Sequence, residues 1–188
     1  MTEPQIRRPL STTLAGGGLL LAGVLAAGLL LWGGVEKIFE PAPPPVGETA
    51  PDYRLELTDG RVLGPESLKG KVVLLDFWST TCLACQIATP KHNRLHERYA
   101  DEGLVVIGVN QDPSEDRTEV ESYGSERPME YPIALDPGGT LAERFGARVL
   151  PGLVLIDRQG RLRRRYTGVT AESRALRDVK QLLAEDQS

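Results

Sequence analysis

Val72-Val73-Leu74-Leu75-Asp76-Phe77-Trp78-Ser79-Thr80-Thr81-Cys82-Leu83-Ala84-Cys85 joins a nearly unbroken apolar run to the only two cysteines of the 188-residue chain. An apolar run without polar alternation predicts a strand covered on both faces, as in the middle of a sheet flanked by helices. A helix is predicted from about Cys82 to Tyr99, interrupted by Pro90. Cys82 then faces the free N–H groups and the positive end of that helix, which favour a thiolate. A thiolate attacks a disulfide, whereas a neutral thiol hardly does. Cys85, one turn later, is close enough to close an intramolecular disulfide and expel a product. Cys82 is therefore expected to be the nucleophile and Cys85 the resolving thiol.

Outward from this unit, strands and helices alternate. Before it, residues 53–57 alternate apolar and polar, and Asp59-Gly60 supplies hairpin-turn chemistry ahead of Val62-Leu63. After it come a buried strand at 104–109 and a helix capped by Ser114, running to about Tyr123 and ended by Gly124. A short strand at 131–135 and a short helix at 140–145 follow. Residues 153–156 and 162–166 form a hairpin, and Thr170 caps a final helix reaching about Ala184. This order implies an α/β sandwich with the sheet in the middle.

Towards the N-terminus no charged residue occurs between Arg8 and Glu36. Residues 12–34 are expected to form a single transmembrane helix, since about 20 apolar residues span a bilayer. Arg7 and Arg8 would keep residues 1–11 cytoplasmic and export the rest by the positive-inside rule. A cleaved export signal is the competing reading, with small residues at Ala26-Ala27-Gly28. Residues 35–50 hold Pro41, Pro43, Pro44 and Pro45 and read as a stiff spacer before a domain at 51–188.

The motifs together resemble the thioredoxin-like superfamily, over roughly residues 47–185. Residues 76–85 resemble its active-site stretch, Pro90 the proline that bends its active-site helix, and Leu150-Pro151-Gly152 its cis-proline loop. The Asp59-Gly60 hairpin, Gly70-Lys71 and Val109-Asn110 resemble a narrower branch, the membrane-tethered TlpA-like thioredoxins that include the cytochrome c maturation reductases. The resemblance implies a three-layer sandwich, with a central mixed sheet, helices on both faces and an N-terminal β-hairpin. It also implies a tethered thiol–disulfide oxidoreductase without a cofactor, reducing disulfides of exported proteins, apocytochrome c among the candidates, on the periplasmic side of a bacterial inner membrane. A membrane electron donor would feed it. Asp76 would take the proton of the resolving thiol, and Pro151 would shape the backbone beside the sulfurs. Leu150 could pair its backbone with an extended substrate, and Trp78, Thr81, Leu83 and Ala84 complete the expected substrate surface. Thioredoxins usually carry Trp where Thr81 stands and Pro or Gly within the Leu83-Ala84 dipeptide. Some reductases of the cytochrome branch carry Glu where Ala88 stands.

Composition narrows the field. A net charge of −4 gives no reason to expect a nucleic-acid partner. Two cysteines cannot build a disulfide framework, nor one Cys-x-x-Cys a four-ligand zinc site. His92 and His96 are expected to be solvated helix-face residues, and Cys85 to His92 spans about 10 Å of helix, too far for one ion. Two rivals stand beside disulfide exchange. Ser79, three before Cys82, faintly resembles the Thr-x-x-Cys of peroxide-reducing redoxins, but no proline precedes it from Val72 onward. A non-enzymatic copper or haem carrier could also use two soft thiolates, although neither Met is near them in sequence. Arg161, Arg163, Arg164 and Arg165 are read as the exposed face of an edge strand, where charge discourages aggregation.

Overall fold

The computed structural model describes residues 44–113, 117–169 and 172–185. The proposed anchor at 12–34 and the caps Ser114 and Thr170 lie outside the described residues. Among the described residues no helix is long and apolar enough to cross a membrane.

Seven strands form one sheet among the described residues: β1 (Leu55–Leu57), β2 (Val62–Leu63), β3 (Val72–Trp78), β4 (Leu104–Asn110), β5 (Ile133–Leu135), β6 (Gly152–Ile156) and β7 (Leu162–Thr167). Their order is β2-β1-β5-β4-β3-β6-β7, with β3–β4 and β4–β5 parallel and the remaining pairs antiparallel. The helices are α1 (Leu83–Tyr99), α2 (Arg117–Glu126), α3 (Thr140–Phe145) and α4 (Glu172–Ala184). This is the expected three-layer arrangement with a mixed sheet and an N-terminal hairpin, whose turn uses Gly60 at φ 87°. Two elements differ from expectation. Pro90 lies inside a continuously assigned α1, and α2 runs through Gly124 to Glu126.

β3 is buried at every position, as its apolar run requires. Side chains alternate across a strand, so Val73, Leu75 and Phe77 enter one core with Phe145 of α3, while Val72 and Leu74 enter the other with Leu95 of α1 and Val179 of α4. Each buried Leu or Phe contributes on the order of 1.5–3 kcal/mol relative to exposure. The same alternation puts Asp76 and Trp78 on the α1 side. A carboxylate in the central strand, under a helix, is thus fixed by period alone.

The far edge departs from the sequence reading. Residues 47–50, assigned there to the spacer, run antiparallel to residues 160–162 at the start of β7: Gly47 N–H donates to Leu162 O (2.7 Å), Leu162 N–H to Glu48 O (2.8 Å) and Ala50 N–H to Gly160 O (2.9 Å). Arg161 and Arg164 are exposed and Arg163 and Arg165 partly so, as expected of that face, and all four also have partners. Arg161 and Arg163 pair with Asp157, Arg164 with Asp178, and Arg165 donates to the carbonyls of Phe145 and Pro44. At the start of β7 the chain's own backbone thus pairs part of the edge, leaving less of the ladder for charge to guard.

Candidate active site

β3 delivers the chain to the start of α1 through residues 79–81, and that short loop is anchored from β4. Thr80 N–H donates to both carboxylate oxygens of Asp112, at 3.0 and 3.3 Å. Asp112 is held in turn by Asn110, whose Nδ2 donates to Oδ2 at 2.8 Å and whose Oδ1 accepts from Asp112 N–H at 3.1 Å. Gln111 N–H donates to Trp78 O at 2.9 Å. The cysteine turn therefore rests on two adjoining strands.

Cys82 is the N-cap of α1, in an extended conformation with φ −83° and ψ 95°. Its Sγ accepts the N–H of Cys85 at 3.1 Å, one of the orphan donors of a helix start. Cys82 and Cys85 are joined as a disulfide with Cα atoms 5.3 Å apart. Cys82 is half-buried and Cys85 only 3 % exposed, so the outer sulfur is the one a partner reaches. Donor, helix end and access all favour Cys82 as the attacking thiolate.

The Leu150–Pro151 bond is cis, and Leu150 packs against the cluster of Trp78, Cys85 and Val120 that also includes Cys82. Pro151 is buried, with its carbonyl accepting Gly168 N–H at 2.9 Å. Gly152 allows the loop to fold back, because a Cβ there would lie 3.0 Å from Val149 O. Around the sulfurs Leu83 is 69 % exposed, Ile87 and Val149 are also open, and Thr81 is exposed with Ala84 partly so. Leu83 and Ile87 are one turn apart on the same side of α1. Together these make an apolar rim. Trp78 does not belong to it: at 1 % exposure it cannot meet a substrate, and its ring packs on Tyr123 with centroids 5.1 Å apart. Its place on the α1 side of a central strand explains the burial.

Asp76 is 2 % exposed and has two partners on one oxygen. His92 Nδ1 lies 2.8 Å from Oδ2, and Tyr131 Oη donates to the same atom at 2.8 Å. His92 is itself 1 % exposed, contrary to the solvated position expected for it, and His96 is half-buried with its ring edge toward Tyr131. The i, i+7 spacing from Cys85 to His92 sets both on the inward face of α1. Thr89 lies between them, and its Oγ1 donates to Cys85 O at 3.0 Å. Burial first, then the charge and hydrogen bond of Asp76, hold the Tyr131 hydroxyl well above its ordinary range.

Four residues of this site escaped sequence reading: Asp112, Thr89, His92 and Tyr131. Only His92 carried a usable signal, since position 92 shares the helical face of Cys85. Among the described residues no group of three or more His, Cys, Asp or Glu could hold a metal ion. Met129, far from the cysteines in sequence, packs against the cluster containing Cys85. Ser79 Oγ faces Thr81 Oγ1 at 3.4 Å, while its carbonyl accepts Cys82 N–H at 3.2 Å.

Known proteins resemble this chain in sequence and fold. The AhpC/TSA family model matches residues 46–165. The thiol-disulfide oxidoreductase ResA of Geobacillus thermodenitrificans is 32% identical over 138 residues, covering 73% of this chain and 76% of that protein. The ResA of Bacillus subtilis is 28% identical over 160 residues, 83% of this chain and 85% of its own length. For the ResA of Bacillus thuringiensis the match spans 66% of that protein's length, at 29% identity over 62% of this chain. A crystal structure described as the thiol:disulfide interchange protein DsbE of Chlorobium tepidum superposes with a TM-score of 0.68 at 28% identity, over 74% of this chain and 98% of that one. Taken with a Cys-x-x-Cys pair at a helix start beside a cis proline, these matches mean that the chain belongs to the AhpC/TSA family, among its thioredoxin-like thiol-disulfide oxidoreductases.

Proposed function

We propose that this oxidoreductase reduces disulfides of exported proteins from the periplasmic face of a bacterial inner membrane, tethered by residues 12–34. Apocytochrome c or a related maturation substrate fits this reading, and a membrane dithiol would restore the reduced pair. The observation that carries it is the accessible Cys82 at the α1 N-cap, its sulfur already accepting the Cys85 N–H. The uncharged run between Arg8 and Glu36 supports the tether, and the relatives named ResA support the substrate class.

In the reduced protein the Cys82 thiolate attacks one sulfur of a substrate disulfide. A Cys82–substrate disulfide forms, and the other substrate sulfur leaves as a thiolate that takes a proton from water. Cys85 then gives its proton to Asp76, and its sulfur attacks Cys82 Sγ. The mixed disulfide breaks, its bonding pair leaves with the second substrate sulfur, and Cys82–Cys85 is oxidised. The substrate has gained two electrons and an external dithiol must return them. Leu150 offers backbone to an extended substrate, while Thr81, Leu83 and Ala84 meet its side chains.

A Cys85→Ser variant tests this directly, because it cannot complete the second step. Mixed disulfides on Cys82 with particular exported proteins are the expected outcome. The packing of Met129 against the cluster of Cys85 favours a second reading, a soft-metal carrier. Stoichiometric Cu(I) on the reduced wild type, with no trapped partner in the variant, would select the carrier.

A further inference from the structure

A lone buried carboxylate would suffice to take a proton, yet Asp76 is gripped from two sides. His92 on α1 and Tyr131 before β5 both reach Oδ2, each at 2.8 Å. An ionised carboxylate only accepts, so facing it His92 Nδ1 donates. Tyr131 remains a donor across the working pH range, because burial and the neighbouring charge keep its hydroxyl protonated.

Space for this grip is provided from the next strand. Asp76 is in register with Gly108 of β4. A Cβ at Gly108 would lie 3.2 Å from Tyr131 Cε2 and 3.0 Å from Trp78 Nε1, closer than side chains normally approach. The missing side chain is what lets the tyrosine ring lie over the strand. From there its hydroxyl reaches Asp76. The acid is tied through His92 to α1, the helix that carries the resolving cysteine.

The surroundings hold few other groups able to titrate. α1 contributes Cys85 and His92, with His96 against the Tyr131 ring, and the segment before β5 contributes Tyr131. β4 and β6 present Gly108 and Leu153 opposite Asp76, and α4 contributes Ala175, Val179, Leu182 and Leu183 to that core.

We propose that His92 and Tyr131 are positioning residues of the exchange reaction: their donors hold Asp76 by Oδ2 and turn Oδ1 to receive the Cys85 proton. This rests on the reading of Asp76 as proton acceptor. As Cys85 loses its proton to Oδ1, its sulfur bonds Cys82 Sγ and the Cys82–substrate S–S bond breaks, its pair leaving on the substrate thiolate. Each hydrogen bond to an ionised carboxylate favours that form over the protonated one.

The test is stopped-flow reaction of the reduced full-length protein with a nitrobenzoate disulfide, whose two thiolates are coloured. The first release reports attack by Cys82, the second resolution by Cys85. In Tyr131→Phe and in His92→Phe the acid limb of the second release should move up by about one pH unit, the scale of one hydrogen bond to a charged group. His92→Asn, which restores a donor near Nδ1, should return most of that shift. A purely structural role would affect both releases alike and leave the limb where it was. An unmoved limb in Tyr131→Phe, or His92→Asn behaving as His92→Phe, overturns the proposal. Tyr131→Phe removes a single oxygen and decides alone if His92→Phe does not fold. Asp76→Asn separates the two layers: unchanged resolution in that variant would sink the proton-acceptor reading itself. Slowed resolution there, with unmoved limbs in the others, would sink only the positioning.

Discussion

Asp76 and Asp157 are both buried carboxylates of the same sheet, and they are built for opposite purposes. Asp157 follows β6 at the end of the sheet remote from the cysteines. It accepts from the N–H groups of Gln159 and Arg161, from Arg161 Nε at 3.0 Å and from an Arg163 guanidinium nitrogen at 3.2 Å. Burial pushes its carboxyl up, but the Arg161 N–H and the two guanidinium groups outweigh that and hold it below the ordinary range. Two permanent cations lock its charge. Asp76 has an imidazole and a phenol instead, and neither carries a fixed charge. A carboxylate with arginines on every side can stabilise a turn but has little use for a proton. One held by donors without a permanent charge, beneath the helix that carries Cys85, can take a proton and give it back.

The sharpest break of this contrast is a matched pair of substitutions. Asp76→Asn should slow resolution of the mixed disulfide by about 10²-fold or more at neutral pH, the usual scale of general-base catalysis, read as the second thiolate release. Asp157→Asn should leave that rate alone. Asp112→Ala frees Thr80 N–H and loosens the turn before Cys82; a loss of about tenfold in the first release is expected from misplacement alone. Comparable loss from Asp157→Asn would erase the distinction between the two ends of the sheet.

Stability should invert the ranking. Urea unfolding at neutral pH should find Asp157→Asn weaker than wild type by about 1–3 kcal/mol, since buried turn donors lose their acceptor. The folded Asp157 carboxyl titrates below its unfolded value. Its contribution is therefore complete above about pH 4, the ordinary aspartate range, and lost as pH falls through the lower folded value. The gap between wild type and the variant should close over that acid window. The smallest change sharpens the Asp76 side: Gly108→Ala adds one methyl against Trp78 and Tyr131 and should cost about 1–3 kcal/mol by overpacking.

Much of this site can be read from residue order because it is local. The apolar run of β3, the Cys-x-x-Cys at a helix start and the Leu150-Pro151-Gly152 loop each occupy one short stretch. The partners of Asp76 do not. Tyr131 is 55 residues away and His92 is 16, and nothing in either's neighbours announces a carboxylate. The i, i+4 histidines suggested a wet helix face, yet position 92 falls on the stripe that contains Cys85, Leu95 and Tyr99, all buried. Trp78 was expected on the substrate surface from the family resemblance, although strand alternation turns it under α1. The arginines of β7 similarly concealed their pairing, because the acids they meet come from a turn and from α4.

The reduction potential of the Cys82–Cys85 pair, measured by equilibration with glutathione, bears most directly on the direction of electron flow. A disulfide reductase predicts a value near that of thioredoxin, about −270 mV. A value near −120 mV would mark an oxidant and contradict the account.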